Sequence, residues 1–108
     1  MATTRKVLGQ AAPAAATATA LYTVPAATST VCSTLVVANR GVAATFRVAV
    51  RPAGVALANA HYLYFDVALQ AGDSFAATIG LTLAATDVVT VYASTADLSF
   101  SLFGEETA

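Results

Sequence analysis

From Leu21 onward, apolar side chains alternate with polar or small ones at a period of two, and turn-forming residues interrupt the pattern about every ten positions. A period of two sends successive side chains to opposite faces of a strand, so the pattern calls for half-buried β-strands and excludes a protein built on long helices. In Thr45–Arg51, Phe46, Val48 and Val50 share one face while Thr45, Arg47, Ala49 and Arg51 share the other. Over the stretch from His61 to Leu69, unbroken alternation points Leu63, Phe65, Val67 and Leu69 inward and Tyr62, Tyr64 and Asp66 outward. Further inward rows are Phe75, Ala77, Ile79, Leu81 and Leu83, then Val89, Val91 and Ala93, and finally Leu98, Phe100 and Leu102.

Composition agrees with strands. The chain has 108 residues and is 57% hydrophobic, with 27 alanines, 15 threonines and 13 valines. Alanine favours helices, but its neighbours here are Thr and Val, and the Glu, Lys and Gln of helix surfaces are nearly absent before Glu105. Turns are expected at 25–29, 39–41, 51–54, 71–73, 84–87 and 95–97, each carrying Pro, Gly, Asn, Asp or Ser. Adding Leu21–Val24 and Val31–Ala38 gives seven strands, or eight if Thr3–Leu8 also pairs. The expected fold is an all-β antiparallel sandwich of immunoglobulin-like or jelly-roll type. One core of this size needs neither disulfide nor metal, and two full domains do not fit.

Beyond Gln10, residues 11–20 are Ala, Thr and Pro with nothing large enough to anchor a core. The expected organisation is therefore an extended N-terminal arm over residues 1–20, followed by the sandwich domain over residues 21–108. Fully extended, the eleven residues from Gln10 to Ala20 span roughly 35 Å, enough to lie across a neighbouring subunit and deliver Arg5, Lys6, Val7 and Leu8 to it. The first twenty residues imitate a signal peptide poorly, because Pro13, Thr17 and Thr19 interrupt the apolar stretch. The chain reads as soluble and intracellular at synthesis, without a transmembrane run.

The net charge of −1 offers no field to recruit nucleic acid or an anionic membrane, so neither is an expected partner. A charged fraction of 10% is low for a free monomer and predicts that much of the surface faces other protein. Cys32 is the single cysteine and His61 the single histidine, which leaves no disulfide and no Cys/His zinc set. Cys32 with His61 would be the one nucleophile–base pair, but Cys32 lies within a strand, where a buried, inert thiol is the commoner state. Asp73, Asp87 and Asp97 sit in or beside turns, where aspartate caps backbone N–H groups; no calcium loop pattern is present. No cofactor, metal or catalytic set is expected. Arg40, Arg47 and Arg51 surround one hairpin and are better suited to a protein interface than to nucleic acid, since arginine and tyrosine are enriched at interface hot spots.

The residues from Leu21 to Gly104 run LYTVPAATSTVCSTLVVANRG, TFRVAVRPAG, HYLYFDVALQAGDSFAATIGLTLAATDVVTVYAST and LSFSLFG. A Tyr-Thr-Val-Pro opening, a strand ending in Asn, a Tyr-rich strand, a Gly-x-x-Leu-x-x-x-Asp-x-Val segment and a final strand ending in Gly-Glu together resemble the small β-sandwich virion proteins of tailed bacteriophages. The resemblance implies a structural role and no enzymatic one. The expectation is a capsid decoration (cement) protein, trimeric, made in the bacterial host cytoplasm and carried on the outer head of the virion. There it would link subunits of the major capsid protein. The alternatives are a tail, baseplate or fibre component and a carbohydrate- or host-surface-binding module. Arg5, Lys6, Val7 and Leu8 are the expected shell contacts, and Arg47, Arg51, Tyr62 and Tyr64 the expected outer-face contacts to sister subunits or capsid.

Overall fold

A computed structural model describes residues 2–108. Nine strands run in chain order: β1 (Thr3–Ala11), β2 (Thr19–Thr23), β3 (Ser29–Asn39), β4 (Ala44–Arg51), β5 (Tyr62–Leu69), β6 (Ser74–Ala77), β7 (Leu81–Leu83), β8 (Val88–Ala93) and β9 (Leu98–Thr107). They form two antiparallel sheets. The first has the order β1-β9-β3-β6, with β7 beside β6 on the same edge of β3; the second has the order β2-β8-β4-β5.

The pairing has a simple logic. β1 pairs with β9, β2 with β8, β3 with β6 and β7, and β4 with β5, as in one long hairpin; β9 then lies against β3 and β8 against β4, rolling that hairpin into two layers. Counting β6 and β7 as one interrupted strand, this is the eight-stranded jelly roll. The immunoglobulin-like alternative is excluded, because it keeps its first two strands in one sheet whereas β1 and β2 here lie in different sheets.

The expected N-terminal arm is corrected by the same pairing. Of residues 1–20, Met1 lies outside the described residues, and Thr3–Ala11 form an edge strand of the first sheet, paired with the C-terminal β9 from Thr3↔Thr107 to Ala11↔Phe100. Ala2 and Ala108 exchange backbone hydrogen bonds of 3.0 and 2.9 Å beyond that ladder. The boundary expected after residue 20 falls within β2. Even the connecting loop is tied down, with Pro13 buried and the Ala16 N–H donating to the Ala93 carbonyl at 2.8 Å.

The core lies between the sheets. Phe46, Phe100, Leu98, Leu102, Val48, Val89 and Val91 are fully buried, as the inward rows of β4, β8 and β9 require, and Leu35 and Val37 of β3 are buried with them. Asn39, buried at the end of β3, donates from Nδ2 to the carbonyls of Val42 (2.7 Å) and Leu69 (3.1 Å), while its Oδ1 accepts from the Gly41 N–H (2.9 Å). One amide thus fastens the β3–β4 turn to the end of β5, where an unpaired buried polar group would be costly.

β5 departs from simple alternation. Phe46 pairs with Val67 but Val48 pairs with Tyr64, so two steps on β4 match three on β5, and Asp66 is the extra residue with φ of 51°. Such a bulge exchanges the faces on either side of it. Val67 and Leu69 point inward as expected, whereas Phe65 and Leu63 are 53% and 45% exposed and Tyr64 turns in against Phe75, with ring centroids 5.3 Å apart. A second irregularity between Val48 and Ala49 returns Tyr62 to the outer face.

Candidate functional site

Two surfaces, on opposite faces of the sandwich, collect the side chains suited to recognition. On the second sheet, Arg47 of β4 projects outward between neighbours from β5 and β8. Its guanidinium carbon lies 4.1 Å from the Phe65 ring centre and 4.4 Å from that of Tyr92, and its Nε donates to Asp66 Oδ1 at 2.6 Å. Tyr62 meets the edge of Phe65 at 4.9 Å. The hydrogen bond to Asp66 raises the Arg47 pKa still further, so the stack holds a permanent, internally neutralised charge. Two cation–π contacts and the ion pair with Asp66 hold the Arg47 side chain between the rings of Phe65 and Tyr92.

Next to this stack, the β4–β5 connection folds over the outer face of the second sheet. Residues 52–60 are all exposed, carry no charge and include Val55 and Leu57. The loop is nevertheless pinned. Arg51 donates from Nε to Thr90 Oγ1 (3.0 Å) and from Nη1 to the carbonyls of Gly54 (3.2 Å) and Val55 (3.0 Å). Asp87 Oδ1 accepts from the Ala53 N–H at 2.9 Å, and His61 Nδ1 accepts from the Ala58 N–H at 3.0 Å.

On the first sheet, the outer face holds a shallow groove of about 560 Å³. Val7, Val31, Phe103 and Gly104 line it together with Lys6, Ser33 and the Arg5–Glu105 ion pair (3.4 Å). Val7 and Val31 are 48% and 44% exposed. Behind the groove, Glu106 accepts from Lys6 Nζ at 3.2 Å and from the Tyr22 hydroxyl, which also bonds Thr30 at 2.8 Å. Burial, reinforced by Glu106, pushes the Tyr22 pKa up to about 12, and the Tyr22 hydrogen bond, with Lys6, holds Glu106 below the usual carboxylate range.

The eight residues expected to make contacts divide accordingly. Arg5, Lys6 and Val7 lie on the groove, Arg47 and Tyr62 in the stack, and Arg51 beneath the loop. Two expectations are corrected. Leu8 is 9% exposed, because a bulge between Val7 and Gly9 turns it into the core. Tyr64 packs on Phe46 and Phe75 inside the sandwich, because of the Asp66 bulge. The three arginines form no common patch, since Arg40 donates instead to Ser99 Oγ (2.7 Å) and the Ala96 carbonyl (2.9 Å). Phe65, Tyr92, Val55 and Leu57 join these surfaces without a sequence signal: strict alternation turns Phe65 inward, and an uncharged run such as 52–60 is ordinary in a chain whose residues 7–39 carry no charge.

Cys32 is fully buried in β3, where desolvation pushes its thiol pKa up to about 11, and His61 belongs to the pinned loop. Among the described residues no cluster of three or more His, Cys, Asp or Glu could hold a metal ion, and no helix is long and apolar enough to cross a membrane. Asp73 and Asp87 cap turns as expected. Comparison with protein-family models, curated proteins and solved structures finds no match to this chain.

Proposed function

We propose that the protein is a virion structural protein of a tailed bacteriophage, a capsid decoration protein that binds the outer head shell and links subunits of the major capsid protein. The observation that carries this reading is the pair of pre-formed contact surfaces on opposite faces of one jelly roll, each apolar or internally charge-neutral. A cementing protein requires such a body. It must touch more than one neighbour, and many modest contacts at high effective concentration sum to firm retention. The jelly roll recurs in viral capsid proteins, and the Tyr-Thr-Val-Pro to Gly-Glu pattern resembles small phage virion proteins; both support the reading by analogy. The role assigns the chain no reaction and no cofactor.

Copy number per purified particle, measured by quantitative mass spectrometry against the major capsid protein, tests the proposal. Hundreds of copies are expected. A few to a few tens would move the protein to the tail or baseplate, and absence from particles would overturn the virion reading.

A further inference from the structure

We propose that copies of this chain exchange β1, so that Thr3–Ala11 of one molecule fills the place beside β9 of another. Among the described residues β1 pairs with β9 alone, sends Leu8 into the core and continues into β2 through residues 12–18. The pairing and the burial are transferable. The ladder from Thr3↔Thr107 to Ala11↔Phe100, the Arg5–Glu105 and Lys6–Glu106 ion pairs and the seat of Leu8 all form in the same way when β1 comes from a second copy. Only the connection distinguishes the closed form from the exchanged one.

That connection favours exchange. Ala16, near its middle, has φ of 53°, a left-handed conformation that carries a steric cost for alanine. Straightening the segment as it crosses to a neighbour releases the strain, and strained hinge loops invite strand exchange. Little else holds the loop closed. Among the described residues, Pro13 is the one buried side chain of the segment, residues 12 and 14–18 are exposed, and the Ala16 N–H to Ala93 carbonyl bond is the one backbone tie to the body. Pro13 also fixes its own φ and holds Ala12 extended, so the start of the hinge is already straight. Fully extended, the seven residues cover roughly 23 Å. The sandwich is 19 Å across its shortest dimension, so β1 reaches a molecule lying alongside.

The place that β1 vacates selects its occupant. Arg5 and Lys6 answer Glu105 and Glu106, the bulge after Val7 turns Leu8 into the core, and Gly9 lies so close to the Leu21 carbonyl that a Cβ there would strike it. An entering strand therefore needs two basic residues, then an apolar residue two positions on with glycine directly after it. Among the strands of this chain β1 alone has that order. A less matched segment would leave Glu105 without its arginine and the Leu8 site unfilled, which disfavours it against a second copy of β1. The closed form prevails in dilute protein, because association costs translational freedom, and exchange grows with concentration. The inference concerns the chain itself and does not depend on the virion reading.

Two single variants of the full chain, Thr3→Cys and Thr107→Cys, test it when they are unfolded in urea, refolded together and oxidised. In a closed molecule each new thiol faces a threonine of its own chain, where the two hydroxyls lie 3.1 Å apart; after exchange the two thiols face each other. Cys32 is fully buried and does not compete. The disulfide joining position 3 to position 107 should exceed those joining like positions by at least about tenfold, since paired positions meet at a millimolar effective concentration. Thr3→Cys refolded with Val42→Cys, a site 64% exposed on the β3–β4 turn at the other end, measures the level set by collision. A 3-to-107 yield no higher than that level overturns the inference. So does a wild type that native mass spectrometry finds wholly monomeric after refolding at roughly 1 mM, the weak end of specific association. Adding Ala16→Gly to both chains relieves the closed form at each hinge and should lower the yield about fivefold or more. An unchanged yield would overturn hinge strain as the cause of exchange. Should a threonine variant fail to refold, Arg5→Cys with Glu105→Cys, directly paired as well, carries the same expectations.

Discussion

At the scale of single residues, several positions hold conformations or protonation states that their neighbours impose. Ala27, exposed in the turn between β2 and β3, has φ of 56°, a left-handed conformation that costs an L-residue about 1–2 kcal/mol and glycine almost nothing. Glycine regains entropy in the unfolded chain, which offsets part of that gain. Ala27→Gly should therefore raise stability by about 0.5–1 kcal/mol in urea unfolding, and a loss of stability would show that the turn is not strained. The Tyr22–Glu106 pair makes stability depend on pH at both extremes. Tyr22 has a folded-state pKa raised to about 12 from 10.0, so its contribution is complete below pH 10 and is lost as pH rises toward 12. The rise from 10.0 to about 12 corresponds to at most about 3 kcal/mol over that interval. Glu106 has its pKa lowered, so its contribution is present above the ordinary glutamate range and is lost as pH falls through the lower folded value. Tyr22→Phe should cost about 1–3 kcal/mol at neutral pH, the usual range for a hydrogen bond to a charged group. It should also flatten both limbs of the curve of melting temperature against pH. Unchanged limbs would mean that other groups govern the pH response.

Among the elements, β5 shows most directly how one residue reassigns a surface. With Asp66 inserted as a bulge, Tyr64 joins the aromatic group of Phe46 and Phe75, and Phe65 turns outward to stack on Arg47. Tyr64→Ala should consequently destabilise the fold by about 2–4 kcal/mol through lost core packing, and Phe65→Ala by under about 1 kcal/mol. Chemical denaturation of the two variants decides the matter, because unbroken alternation along β5 predicts the opposite order. The sequence makes β4, β8 and β9 legible down to the inward face of each residue, since nothing interrupts their period of two. It conceals the bulges at Asp66 and Leu21, where no glycine marks the extra residue, whereas Gly9 and Gly104 adjoin those at Leu8 and Ser33. Arg47 and Tyr62 could be read as outward-facing from alternation alone, but their partners Phe65 and Tyr92 could not be assembled around them without the register. Nor does local sequence reveal that the uncharged loop lies back over Val88 and is held there by Asp87, thirty-four positions beyond the Ala53 N–H that it accepts.

For the molecule as a whole, the rolled hairpin joins the two ends of the chain in one strand pair, so that the first strand borders the last. Composition alone made residues 1–20 resemble a detachable arm, because Ala, Thr and Pro supply no anchor between Gln10 and Ala20. The anchor is instead tertiary: Leu8 enters the core, Ala11 packs against it, and the whole length of β1 hydrogen-bonds to β9. Removing residues 1–11 would expose the edge of β9, whose Leu98, Phe100 and Leu102 are central to the core, and would forfeit the burial of Leu8, about 1.5–3 kcal/mol by itself. A domain of this size is stable by only about 5–15 kcal/mol in total, and a long uncovered edge strand invites pairing with other chains. The truncated protein should therefore lose at least about 3 kcal/mol of stability and aggregate on refolding, as read by urea midpoint and light scattering. A truncation that keeps its stability to within about 1 kcal/mol would mean that β1 contributes little to the fold. In that case its charged residues Arg5 and Lys6 would be free to serve a partner instead of their own C-terminal strand.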